Sequence, residues 1–142
     1  MITEFSGRYR FLSNFVSGPV VFEGHTYPTV EHAYQAAKTV SEDERDLIRS
    51  IKSPGAAKRL PKTVRPDWDE IKLSVMEDLL MQKFSAEPYR SQLLDTGEQI
   101  LIEGNRWHDI FWGRCNCRIC EGRGQNQLGK LLMKIRSKLS DT

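Results

Sequence analysis

A carboxylate, an amide and an amine recur at Glu31, Gln35 and Lys38, spaced by four and then three residues. An α-helix turns about 100° per residue, so positions i, i+4 and i+7 fall within roughly 40° of one another. The three groups therefore share one face. Turned inward, that face is the wall of a reactive pocket. An ionised Glu31 there suits a general base, a nucleophile or a stabiliser of positive charge. A partly buried Lys38 loses its proton more readily and becomes nucleophilic. Turned outward, the same spacing is a Glu-to-Lys pair on a solvated surface. Val30, Ala33, Ala37 and Val40 form the apolar remainder.

The start of the helix that must carry these groups is legible. Pro28 lacks a backbone N–H and disfavours helical geometry in the residue before it. Thr29 is a good N-cap, and Glu31 then lies in the first turn, where the helix dipole favours an ionised carboxylate. Upstream, Phe5 to Phe15 alternates polar and aromatic residues. Pro19–Phe22 and His25–Tyr27 flank Glu23-Gly24, a hairpin signal. Downstream, Ser41 with Glu44 has capping-box spacing and opens a helix to about Ile51. Ser53-Pro54 opens a short one. Asp67 caps a long amphipathic helix to about Phe84, with Trp68, Ile71, Val75, Leu79 and Leu80 near its apolar face. Pro88 to Leu94 is a further short helix. Ile100–Glu103 and Ile110–Trp112 read as short buried strands. Leu128 to Leu139 is a final helix, striped with Leu128, Leu131, Leu132, Ile135 and Leu139. The fold class is α+β, mostly helical: a small hairpin and short strands packed against several helices.

The 142 residues suit one domain, 1–142, with an adequate core. Hydrophobic residues at 39% and charged residues at 28% match an ordinary soluble protein. A net charge of +2 does not demand nucleic acid. Two acid-free basic runs could still face phosphate: Lys52, Lys58, Arg59, Lys62 and Arg65, then Lys130, Lys134, Arg136 and Lys138. Met1 to Arg10 lacks the apolar core of a signal peptide. No stretch approaches the ~20 apolar residues of a membrane span. The expectation is a cytoplasmic protein with no membrane partner.

Three further clusters carry potential chemistry. Gly124–Lys130 has the P-loop spacing through its lysine, but Leu131 stands where the magnesium-binding hydroxyl belongs and no strand precedes it. An ATPase is therefore set aside, leaving a helix start with exposed N–H groups as an anion site. Asn126 would cap that helix or reach a ligand. Cys115, Cys117 and Cys120 are all the cysteines in the chain, an odd count that argues against a disulfide framework. With His108 as a fourth ligand they could hold zinc, or a catalytic zinc could keep that fourth position open for water; otherwise they form a reduced thiol loop. No metal and no cofactor is assigned. Finally, in Asp109–Gly113, Trp112 offers a flat surface for a nucleobase and Gly113 would let a ligand approach the backbone. Lone tryptophans are more often core, the default for Trp68 and Trp107.

Together these pieces resemble one family. Phe11–Phe15, Tyr27–Lys38, Trp112-Gly113, Gly124, Asn126, Leu128-Gly129, Leu132-Met133 and Arg136 are similar in order and spacing to the NADAR, or YbiA-like, domain, over about Phe5 to Leu139. The resemblance implies a compact, mainly helical fold and N-glycosidase chemistry. It implies two substrate classes: early phosphoribosyl-pyrimidine intermediates of riboflavin biosynthesis, and ADP-ribose attached to guanine bases. It places the pocket at Asn14, Glu31, His32, Gln35, Lys38, Asp109, Trp112 and Asn126. One departure stands out. Some members carry a glycine-rich stretch between Trp112-Gly113 and Gly124, where this chain has the three-cysteine loop.

The expected mechanism cleaves the bond from the anomeric carbon of a ribose phosphate to nitrogen. Glu31 stabilises the positive charge on the sugar or activates water. Lys38 pairs with phosphate or attacks the opened sugar as a Schiff base. Asp109 orients a sugar hydroxyl or serves as a second carboxylate. Asn14, His32, Gln35, Trp112, Gly113 and Asn126 contact substrate, and Arg8, Arg10 or Lys58 could take the phosphate. The partner is a ribosyl-phosphate or ADP-ribose-containing small molecule, or ADP-ribosylated nucleic acid. Two rival classes are a non-catalytic NAD or ADP-ribose-binding module and a cysteine-based zinc module.

Overall fold

The computed structural model describes residues 1–142 and contains six α-helices, one 3-10 helix and four short strands. The chain divides into two compact units, Asn14–Ala86 and a terminal unit formed by Met1–Ser13 with Glu87–Thr142.

The Asn14–Ala86 unit is built around one buried helix. Its hairpin pairs β1 (Val20–Phe22) antiparallel with β2 (His25–Tyr27), Phe22 opposite His25. The turn residues Glu23 and Gly24 both have positive φ, 46° and 84°, as a two-residue hairpin turn requires. Helix α1 (Val30–Ala37) follows, with the Thr29 hydroxyl accepting from the His32 N–H. All eight of its residues are buried, against β1, β2, α2 (Glu42–Ser50), α3 (Pro54–Arg59) and α4 (Trp68–Ser85). Ala33, Ala36 and Ala37 are fully covered, and their small side chains let neighbours approach on every side. Val40 lies beyond the helix and is exposed, so it takes no part in this packing. Leu79, Leu80, Met76 and Phe84 of α4 complete the core; each such side chain contributes about 1.5–3 kcal/mol of burial free energy.

Two caps work differently from expectation. Ser41 accepts from the Glu44 N–H, but the Glu44 carboxylate accepts from the Thr39 and Thr63 hydroxyls and the Thr63 N–H and makes no reciprocal box. Asp67 makes no cap bond, because Arg65 holds its carboxylate. A nearby cation or donor outcompetes the local backbone in both cases.

In the terminal unit, α5 (Tyr89–Leu94) packs against the 3-10 helix Gly7–Leu12 and against α6 (Gln127–Ser140). The stripe Leu128, Leu131, Leu132, Ile135 and Leu139 is buried as its spacing demands. The strands are displaced from the sequence reading. Leu101 forms only an isolated bridge to Ile2, and the ladder pairs β3 (Gly104–Asn105) parallel with β4 (Arg114–Cys115). Ile110–Trp112 is not a strand, and Ile110 is half exposed. Its backbone groups are taken up across the loop. Asp109 accepts from the Phe111 and Trp112 N–H groups, while the Ile110, Phe111 and Trp112 carbonyls accept from Gln125, Gln127 and Leu128. No helix is long and apolar enough to cross a membrane.

Candidate active site

The predicted site residues fall into two sets, one in each unit. Asn14, Glu31, His32, Gln35 and Lys38 belong to Asn14–Ala86. Asp109, Trp112, Gly113 and Asn126 belong to the terminal unit.

In the first set, Glu31 and Gln35 on the α1 face are turned inward. Glu31 is 7% exposed and Gln35 2% exposed. The Gln35 amide donates to a Glu31 carboxylate oxygen at 2.6 Å, and the Glu31 N–H donates to the Asn14 carbonyl at 3.2 Å. Burial pushes the Glu31 carboxyl above its ordinary range. The Gln35 hydrogen bond and the charges of Lys58, Lys38 and Lys62 pull it back without cancelling the shift. Burial also pulls Lys38 below the ordinary amine range, opposed by the Glu31 charge. Lys38 sits at the helix C-cap, its ammonium 5.1 Å from the centre of the Tyr34 ring, which packs against Trp68. Buried polar atoms are normally paired, so exceptions are informative. Gln35 Oε1 and Asn14 Oδ1 are both buried acceptors without a donor. The Asn14 amide nitrogen has only a weak partner, the Met76 sulfur at 3.6 Å.

His32 differs from its neighbours. It is fully buried, with Nδ1 2.7 Å from the Thr29 hydroxyl and Nε2 2.7 Å from the Ile51 carbonyl. The carbonyl can only accept, so Nε2 carries the proton and Nδ1 accepts from Thr29. Both nitrogens are engaged, and the ring ties the start of α1 to the end of α2. Arg45 ties the other end, its Nε donating to the Ala36 and Thr39 carbonyls. The sequence offered no signal for Arg45, because its Nε partners are backbone carbonyls and its carboxylate partner, Glu23, comes from the distant hairpin turn. Lys62 was visible only as one member of a basic run. Its ammonium folds back onto the Leu60 carbonyl at 2.6 Å, and its charge reaches Glu31.

In the second set the polar groups are committed within the protein. Asp109 Oδ1 accepts from two backbone N–H groups, Phe111 at 3.1 Å and Trp112 at 2.9 Å. Asn126 has φ 53° and makes no cap bond. It accepts from the Glu103 N–H and donates to the Leu101 carbonyl, both at 2.9 Å. A Cβ on Gly113 would lie 1.7 Å from a Glu103 carboxylate oxygen and 2.1 Å from its carbonyl, so the missing side chain admits Glu103 and not a ligand. The anion site expected at the start of α6 is absent as well. The Gln127 and Leu128 N–H groups donate to the Phe111 and Trp112 carbonyls. Trp112 is half-buried, edge-on to Phe111 with centroids 4.8 Å apart, whereas Trp107 is 60% exposed and not core. In the same loop, His108, Cys115, Cys117 and Cys120 bring their ligand atoms within 4.8 Å of one another. A backbone N–H from Cys120 holds the Cys117 thiol down to about 6, and the Cys115 sulfur leads in pushing Cys120 up to about 12.

Comparison with known proteins adds the family. The NADAR domain pattern matches residues 3–140. N-glycosidase YbiA of Escherichia coli (strain K12) is 36% identical over 140 residues, 95% of this chain and 84% of that protein. The chloroplastic riboflavin biosynthesis protein PYRR of Zea mays is 41% identical over 132 residues, 82% of this chain; the chain spans only 20% of that relative's length. The NMR structure of E. coli YbiA matches with a TM-score of 0.80 at 34% identity, covering 99% of this chain and 86% of that one.

Proposed function

The chain belongs to the NADAR domain family, and from that premise we propose that it is an N-glycosidase acting on the bond between a ribose phosphate and nitrogen, in early riboflavin-biosynthesis intermediates. The observation that carries this reading is the buried Glu31 carboxylate beside two donorless buried acceptors, Gln35 Oε1 and Asn14 Oδ1. Donorless acceptors suit the hydroxyl groups of a ribose, and a carboxylate suits the positive charge that develops as the glycosidic bond breaks.

Glu31 takes the proton of the attacking water, or steadies the sugar cation, and the freed nitrogen leaves protonated. A carboxyl raised toward neutrality is better matched to moving a proton than one at its ordinary value. Lys38, Lys58 and Lys62 form a positive field next to it that suits the substrate phosphate. The lowered Lys38 also suits Schiff-base attack on an opened sugar, and borohydride trapping with substrate separates the two roles. His32 is a positioning residue, because its ring nitrogens are already taken. Asp109 and Asn126 hold the loop that carries Trp112 within the terminal unit.

The match of one family pattern to residues 3–140 supports treating both units as one functional domain. Three cysteines outside any disulfide support a cytoplasmic setting. The deciding experiment is a product assay by mass spectrometry on phosphoribosylamino-pyrimidine intermediates, with a guanine-ADP-ribosylated oligonucleotide in parallel. Ribose 5-phosphate release from the first is the expected outcome. ADP-ribose release from the second alone would redirect the activity to nucleic acid. Silence on both, with ADP-ribose binding, would replace the enzyme by a binding module.

A further inference from the structure

We infer that His108, Cys115, Cys117 and Cys120 form a structural zinc site that fixes the loop leading to Trp112. The inference rests on geometry within the terminal unit and is independent of the glycosidase reading. Zinc bonds sulfur at about 2.3 Å and imidazole nitrogen at about 2.0–2.1 Å, so a tetrahedral site sets N···S edges of about 3.6 Å. His108 Nδ1 lies 3.4 Å from Cys117 Sγ, 3.4 Å from Cys120 Sγ and 3.9 Å from Cys115 Sγ. All four ligand atoms lie within 4.8 Å of one another. Four ligands close the coordination sphere, which marks a structural and not a catalytic centre.

The backbone is arranged for the same purpose. Cys117-Arg118-Ile119-Cys120 is a tight C-x-x-C turn in which the Cys120 N–H donates to the Cys117 sulfur at 3.4 Å. The Cys117 carbonyl accepts from Glu121, and the Cys115 carbonyl from Gly122 at 2.7 Å; both donors have positive φ. Arg123 closes the turn through the Ile119 and Cys120 carbonyls. His108 itself has φ 70°, a conformation side chains rarely adopt, and its ring still converges on the three sulfurs.

Burial gathers only one of these residues, Cys115, which is fully covered. His108 is exposed, Cys117 and Cys120 are half-buried, and Ile119, Trp107 and Ile110 expose 74%, 60% and 51% of their surface. A loop with so little apolar anchorage needs another clamp, and a metal supplies one. Three thiolates and a neutral imidazole leave a zinc site one negative charge. Loading displaces whatever thiol protons remain to solvent and changes no oxidation state. Asp109, which follows His108 directly, then presents its carboxylate to the Phe111 and Trp112 N–H groups from a fixed anchor.

The test uses the full chain purified from zinc-supplemented cells without chelator. Elemental analysis should find about one zinc per chain. Cobalt exchange should give the intense visible bands of a tetrahedral site and a thiolate charge-transfer band. Cys117→Ser should reduce zinc to a trace, Cys117→His should retain it, and Ile119→Ser should leave it unchanged. Should Cys117→Ser fail to fold, wild-type zinc content and the cobalt spectrum decide. A folded metal-free chain, iron in place of zinc, a disulfide within the cluster, or a pale octahedral cobalt spectrum would overturn the inference.

Discussion

Helix α1 and the Asp109–Asn126 loop were both marked as chemistry by residue type, and they dispose of their polar atoms in opposite ways. On α1, Glu31 and Gln35 bond mainly to each other. Gln35 Oε1 and Asn14 Oδ1 have no donor, and burial moves Glu31 up and Lys38 down. In the loop, Asp109 and Asn126 spend their polar atoms on backbone groups. A polar residue that is buried and unsatisfied has capacity left for a ligand; one that is satisfied is part of the frame. Under the glycosidase reading proposed above, the reacting groups belong to α1 and the polar groups of the loop are part of its own frame.

The strongest way to break that division is Glu31→Gln. Turnover should fall about 10²–10⁴-fold with circular dichroism unchanged, whereas Asp109→Asn should stay within about tenfold of wild type, because the amide oxygen still accepts the two N–H bonds. Equal losses in the two variants would return Asp109 to the reacting atoms.

A stability measurement sharpens the frame half of the comparison. Asn126→Ala strands the Leu101 carbonyl and the Glu103 N–H and should cost about 2–4 kcal/mol in urea unfolding. Gln35→Ala removes the donorless oxygen together with the amide that donates to Glu31, and its larger effect should be on kcat and not on the urea midpoint. The reverse ranking would mean that α1 is frame as well.

Lys83 isolates the effect of burial from that of catalysis. Burial lowers it to about 7, against an ordinary 10.5. Below pH 7 both folded and unfolded chains hold the proton, and the folded state bears the full penalty of a buried charge. From about 7 to 10.5 the unfolded chain binds more protons than the folded one, so stability rises with pH. Lys83→Met should therefore stabilise the protein most below pH 7, with the advantage shrinking toward pH 10. A pH-independent difference would remove the buried charge from the account.

The smallest expected effect is on the pH profile of kcat. Activity should fall at low pH as Glu31 gains its proton and, where Lys38 acts by its charge, fall again at high pH as Lys38 loses its own. The window should be narrower than the ordinary 4.5 to 10.5 because the two groups are shifted toward each other. Lys38→Arg should extend the alkaline limb if the lysine acts by charge alone, and abolish activity if its amine is the nucleophile.

Features set by near neighbours were open to the sequence. Thr29 caps α1 through an N–H three residues on, Glu23-Gly24 turns the hairpin, and the leucine spacing of α6 selects its buried face. The shared face of Glu31, Gln35 and Lys38 follows from helical pitch alone. Only the tertiary structure decided which polar groups keep capacity to bind. His32 meets Ile51, Asn126 meets Leu101 and Glu103, and the Ile110–Trp112 backbone meets the start of α6 instead of forming a strand. Those partners are backbone atoms, which every residue carries and no residue type announces. The spacing of a chain fixes which side chains can share a face. Whether that face is reactive depends on donors and acceptors brought in from distant segments.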